Sequence, residues 1–198
     1  MKYQDFKRAI NKPYFSRMDI LLNRVDVFGH QLSSWRKKGY LENVKKGLDV
    51  FVDEKGKVSP EEISFLLYQP SYLSLEYALC HYGIIPEMVF TKTAVTTKTT
   101  RKFSNGFGAF SYRHIQPKLF FGYVTKNTAS GTYLLAEPEK ALLDYLYFNL
   151  GKINDENDVS GLRINTEELE KCIDRTKLDT YLAEFGIRKL ERIIRMIV

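Results

Sequence analysis

Apolar positions along the opening residues follow a helical period broken by polar punctuation. Tyr3 to Ile10 reads as a short helix that must end before Asn11-Lys12-Pro13. Ser16-Arg17-Met18-Asp19 has the spacing of a capping box, and Phe15 and Ile20 flank it as a hydrophobic staple. A second helix is therefore expected from Arg17 to Asn23. A third runs from Phe28 to Lys38 and stops at Gly39, with Phe28, Leu32 and Trp35 as its buried stripe. The opposite face carries His30, Ser33, Ser34 and Lys37, with Arg36 and Lys38 at the flanks. Tyr40–Val44 and Leu48–Val52 bracket Lys45-Lys46-Gly47, which predicts a hairpin with a basic tip.

Further along, Ser59-Pro60-Glu61-Glu62 combines a cap, a first-turn proline and acids, and opens a helix over Glu61–Tyr68. Ser74 begins another, to Tyr82, closed by Gly83. From Met88 to Ala136 the texture turns to Thr, Val, Phe and Tyr with glycine turns. Strands are expected near Val89–Thr97, Phe107–Ile115, Leu119–Lys126 and Tyr133–Ala136. Glu139 to Leu150 is apolar nearly all round, as suits a helix buried against that sheet. Residues 152–161 read as a loop, Asn165 caps a further helix, and Thr176 to Ile197 forms one or two amphipathic helices.

Charge divides the chain. Residues 1–58 hold 13 Lys+Arg against 7 Asp+Glu, whereas residues 59–198 hold 17 of each, so the whole formal +6 lies in the first part. Two units follow, 1–57 and 58–198. Within the second, Met88 to Ala136 contains no acid, while Lys92, Lys98, Arg101, Lys102, Arg113, Lys118 and Lys126 are all cationic. Clustered positive charge is the footprint of a nucleic-acid binder. With 44% apolar and 14% aromatic residues, the 198-residue chain has ample core material, which excludes a mainly disordered protein. There is no run of the ~18 apolar residues that mark a membrane span, and no apolar leader at Met1–Arg8. Cys80 and Cys172 cannot make a disulfide framework, so a cytoplasmic protein with reduced thiols is expected.

The fold class expected is α+β: an N-terminal winged helix-turn-helix, then a mixed α/β unit with an antiparallel-type sheet and flanking helices. Short hydroxyls and an amine on the third helix suit base edges, and guanidinium and ammonium groups suit phosphates. The candidate DNA-binding set is accordingly His30, Ser33, Ser34, Arg36, Lys37, Lys38, Lys45 and Lys46. A second candidate patch, for nucleic acid or antitoxic activity, is Lys92, Lys98, Arg101, Lys102 and Arg113. Enzymatic chemistry and cofactors are not expected. His30, His81 and His114 are scattered, Cys80-His81 diverge on a helix, and Asn105-Gly106-Phe107-Gly108 lacks the strand-and-helix setting of a dinucleotide loop. Glu137, Glu139 and Asp144 form the nearest acid cluster, and their spacing suggests capping and solvation.

Three stretches carry a family resemblance. They are Pro70-Ser71-Tyr72-Leu73-Ser74-Leu75-Glu76-Tyr77-Ala78-Leu79 with His81-Tyr82-Gly83-Ile84-Ile85-Pro86, then Phe110-Ser111-Tyr112-Arg113-His114-Ile115 with Phe120-Phe121-Gly122-Tyr123, then Ala136-Glu137-Pro138-Glu139-Lys140-Ala141-Leu142-Leu143-Asp144. With the winged start, the chain resembles AbiEi-type antitoxins over about residues 10 to 150. The resemblance implies a two-domain bacterial protein whose winged domain binds inverted repeats in its own promoter and represses the operon. It also implies a second domain that counteracts a nucleotidyltransferase-type toxin, in a type IV system without a stable toxin complex. Inverted repeats imply two protomers on DNA, whether as a dimer or as monomers meeting there. One departure concerns the wing: the family usually has Arg-Gly and an aromatic two residues on, where this chain has Lys46-Gly47-Leu48-Asp49. Asp49 would repel phosphate if it faced DNA. The alternative is a stand-alone winged-helix regulator whose second domain senses a ligand or dimerises. An enzyme that reverses the toxin's modification is a third reading, for which no nucleophile, metal cluster or phosphate loop is recognisable.

Overall fold

The computed structural model describes residues 1–198. The first unit runs α1 (Tyr3–Ile10), β1 (Tyr14–Ser16), α2 (Arg17–Leu22), α3 (Gly29–Lys37), β2 (Leu41–Lys45) and β3 (Leu48–Phe51). Its three strands are antiparallel in the order β1-β3-β2. The capping box starts α2: Ser16 Oγ accepts from the Asp19 amide at 3.3 Å, and Asp19 Oδ2 accepts from the Ser16 amide at 2.8 Å. Phe6, Ile10, Phe15, Val25, Trp35, Leu41 and Phe51 form a small aromatic core. Phe28 does not join them. It is 58% exposed, because α3 begins at Gly29 and the residue before a helix lies off the helical period. Its ring stacks instead on His30, 5.6 Å between centroids. The three-residue β1 has no alternation long enough to betray it in the sequence.

The second body is built on six strands: β4 (Ser71–Leu73), β5 (Lys92–Thr96), β6 (Arg101–Asn105), β7 (Gly108–His114), β8 (Tyr123–Asn127) and β9 (Thr132–Ala136). They lie in the order β6-β7-β5-β4-β9-β8. The sheet is mixed rather than antiparallel: β5 runs parallel to β7, and β4 parallel to β9. The unexpected β6 accounts for the first of these, since it turns the chain back between them and forms a hairpin with β7. Its Arg101-Lys102 start lacks apolar alternation, which hid it. Helices α4 (Pro60–Leu67), α5 (Leu75–His81), α6 (Pro138–Asn149), α7 (Glu156–Ser160), α8 (Thr166–Cys172), α9 (Arg175–Phe185) and α10 (Arg188–Ile197) complete the body. Residues 156–160, expected as loop, form α7, capped by Asp155. Gly186, at φ 60°, separates α9 from α10. No helix is long and apolar enough to cross a membrane.

The two units share packing. Leu41 and Phe51 belong to the aromatic core, while Val44, Leu48 and Val50 of the same hairpin enter the main core of the second body. The Lys45 ammonium donates to the Leu66 and Leu67 carbonyls at 2.7 and 2.9 Å, at the C-terminal end of α4. At one sheet edge the β6–β7 turn meets the Lys55–Glu42 ion pair, with Lys55 Nζ 4.9 Å from the Phe107 centroid. At the other, Ser130 Oγ of the β8–β9 turn lies 3.1 Å from the Lys57 carbonyl, and Thr128 and Ser130 both reach the buried Glu62.

Candidate nucleic-acid interface

Helix α3 and the tip of the β2–β3 hairpin face each other across a cleft of about 600 Å³. Gly29, Ser33 and Arg36 line one wall, Asn43, Lys46 and Gly47 the other, and Arg17 closes an end. Gly47 holds φ at 85°, where a side chain would be strained, and its carbonyl accepts from the Arg17 amide at 3.2 Å. The hairpin tip is thereby tied to the start of α2, which sets Arg17 and Lys46 on one rim. Both side chains are exposed.

Arg36 does something other than wait for phosphate. Its Nε and Nη2 each donate to Asp49 at 2.7 Å, a two-pronged pair that pins α3 to β3. Asp49 is 2% exposed and also accepts from Asn43 Nδ2 at 3.0 Å. It lines the cleft as a nearly buried carboxylate whose charge is taken up by Arg36 and Asn43. The paired carboxylate holds the Arg36 guanidinium above its ordinary pKa, despite partial burial. Lys45 is likewise engaged, on the α4 carbonyls, and burial together with the charge of Lys98 lowers its pKa. His30, Ser33, Lys37, Lys38 and Lys46 remain exposed, and Ser34 is half-buried.

The second candidate set is spread over several surfaces. Lys92 lies 3.6 Å from Glu61 and 4.7 Å from the Tyr77 ring centroid. Arg113 stacks on Phe148 of α6 at 4.4 Å. Lys102 lines a cleft on the other side of β6, with Phe103, Ser104 and Phe110. Only Lys98 and Arg101 come together, each 5.6 Å from the Tyr68 ring centroid.

Two of the three acids expected to be solvated are buried, and Glu137 is half-buried. Glu139 is 2% exposed and Asp144 fully enclosed. Asp144 accepts from Tyr72 Oη at 2.9 Å and Ser74 Oγ at 2.8 Å, and it pairs with Lys140 one helical turn away. The Lys140 ammonium sits 5.0–5.5 Å from the ring centroids of Tyr72, Phe121 and Phe185. Burial pushes the Asp144 carboxyl up and the Lys140 ammonium down, each opposed by the other's charge. Tyr72, Ser74, Phe121, Lys140 and Asp144 all fall in the stretches that carry the family resemblance, which thus meet in the core rather than at a surface.

Sequence reasoning missed Arg17 at the cleft, since its place depends on the turn carbonyl of Gly47, thirty residues on. It also missed the Arg36–Asp49 pair, for which the signal was present: an acid beside a basic hairpin tip invites a nearby guanidinium. No family model matches the chain, and no curated protein matches it significantly, so what this surface does has to be reasoned from its own side chains.

Proposed function

We propose that this chain is a DNA-binding transcriptional autorepressor, with a winged helix-turn-helix as its first unit and antitoxin activity in its second. The observation that carries the DNA-binding half is the cleft between α3 and the hairpin, whose rim holds exposed cations. The helix-strand-helix-helix-strand-strand order with a β1-β3-β2 sheet supports it, being the order of a winged helix. Ser33 and Lys37 on the exposed face of α3 address base edges, while Arg17, Lys38 and Lys46 contact phosphates. Arg36 and Lys45 drop out of the phosphate set, because their charges are already engaged. If Arg17, Lys38 and Lys46 each neutralise a phosphate, the log–log salt slope is about −3.

A gel shift with the DNA upstream of the gene tests this. Binding at low salt with that slope is the expected outcome, and no binding at low salt removes the proposal. Lys37→Ala should relax sequence preference, whereas Lys46→Ala should weaken all sequences about equally and reduce the slope by about 1. If both variants lose specificity alike, the docking is wrong.

The antitoxin half is supported by the resemblance over Pro70–Pro86, Phe110–Tyr123 and Ala136–Asp144. A nucleotidyltransferase gene immediately downstream, and rescue from that toxin by the full chain, are the expected findings. A second reading, a regulator whose second body senses a ligand, is favoured by the shared packing. Anything bound to the second body near Lys45 would be felt directly by the hairpin.

A further inference from the structure

A separate cleft of about 660 Å³ opens on the second body, lined by Tyr68, Thr97, Lys98, Thr99, Thr100 and His114. We propose that it binds a phosphoryl oxyanion. This assignment does not require the first unit to bind DNA.

The first ground is charge without compensation. Lys98 and Arg101 converge on the two-sided ring of Tyr68, both 5.6 Å from its centroid, and neither forms an ion pair. Burial and, after it, the charge of Lys98 lower the pKa of Lys45, whose ammonium is bonded to the Leu66 and Leu67 carbonyls. No carboxylate lines the cleft. Every other lysine or arginine drawn onto an aromatic ring in the acid-free stretch is either matched by an acid, as Lys92 is by Glu61, or solitary, as Arg113 is. Two like charges held on one ring cost free energy that an anion would recover.

Second, the cleft is rich in hydroxyls, carried by Tyr68, Thr97, Thr99 and Thr100. Tyr68 Oη donates to the Thr99 carbonyl at 3.0 Å, which fixes the β5–β6 turn. Thr100 Oγ1 accepts from the His114 amide at 3.1 Å, which leaves its hydroxyl proton to donate. His114 Nδ1 donates to the Lys98 carbonyl at 3.1 Å, which holds the imidazole against the turn. Hydroxyls beside the Lys98 ammonium, with Arg101 on the same Tyr68 ring and no carboxylate in the lining, favour an oxyanion over a cation. The phosphoryl group could belong to a nucleic-acid backbone or to a free phosphate or nucleotide, and the recognition chemistry is common to both.

The test uses the full chain. Isotope-labelled protein is titrated with inorganic phosphate, against chloride at matched ionic strength, while the amide resonances of residues 97–100 are followed. Saturable shifts with phosphate alone are expected, and the pair Lys98→Ala with Arg101→Ala should weaken phosphate at least about tenfold, the loss of two charge-assisted contacts. The pair Lys126→Ala with Arg195→Ala removes equal charge elsewhere and should leave phosphate affinity unchanged. Equal shifts with chloride, shifts that survive the first pair, or equal weakening by the second pair would each overturn the proposal. A scrambled duplex then identifies the source. If the first pair lowers its affinity and reduces the salt slope by about 2, the phosphate is that of a backbone. If duplex binding is untouched while phosphate is lost, the ligand is free. A wild type that binds phosphate here but no duplex leaves the cleft standing and removes the repressor.

Discussion

Arg36 illustrates how one side chain can be assigned two jobs and hold only one. From the sequence it is a phosphate contact on a basic helix, but the fork it makes with Asp49 turns it into the brace between α3 and β3. Arg36→Ala leaves a nearly buried carboxylate with Asn43 as its remaining partner, and should cost about 2 kcal/mol. Arg36→Lys should recover only part of that, since an ammonium cannot make both bonds in the fork's geometry. Trp35 is the chain's one tryptophan and lies in the adjoining core, so its fluorescence in urea reports the change. An unaltered midpoint would mean the pair contributes nothing. Lys46→Ala, by contrast, should weaken DNA binding with no loss of stability, which separates contact from support. Such roles were partly legible: the exposure of His30, Ser33 and Lys37 follows from helical spacing. The burial of Asp49 does not, because it depends on which face of a four-residue strand meets α3.

Elements were read more securely where local chemistry decides them. Ser16, Ser59 and Asn165 each accept the backbone hydrogen bond that a cap requires, and the helices they start lie where the sequence puts them. The misses share a cause. β1, β4 and β6 are short or polar, and they become strands only because a neighbouring strand supplies their partners. The turns between strands matter as much as the strands. A Cβ on Gly131 would press on the Glu62 carboxylate and lie 2.7 Å from Tyr14 Oη, and Glu62 is fully buried with no room to move. Gly131→Ala should therefore destabilise by about 1–3 kcal/mol, as overpacking does. At Gly106 the obstructing groups are the ends of Glu42 and Lys55, which are part-exposed and can swing aside. Gly106→Ala should cost about 0.5 kcal/mol or less. Urea unfolding of the two variants compares them directly, and equal costs would show that Glu62 is more yielding than its burial implies.

For the whole molecule, acid sensitivity follows from carboxylates distributed through both units. The Lys7 ammonium holds Glu54 below its ordinary range. Burial opposes ionisation of Asp19, Glu61 and Glu137, but hydrogen bonds from Ser16, from Tyr77, and from Lys177 and Tyr181 outweigh it. All four therefore bind protons less readily folded than unfolded. Their stabilisation is complete above about pH 5 and is lost as pH falls toward 2, so the urea midpoint should decline through that window. A flat midpoint would contradict it. Charge bookkeeping in the sequence suggested two units, with the whole excess in the first. Packing joins them at the hairpin, where Val44, Leu48 and Val50 enter one core while Leu41 and Phe51 enter the other. A fragment cut at residue 58 would carry those three aliphatic side chains into water and strip the second body of part of its lining. Recombination could not shuffle this first unit onto a new body as a ready cassette. Any chimera would have to bring a matching seat for the far side of the hairpin, where Val44, Leu48 and Val50 pack.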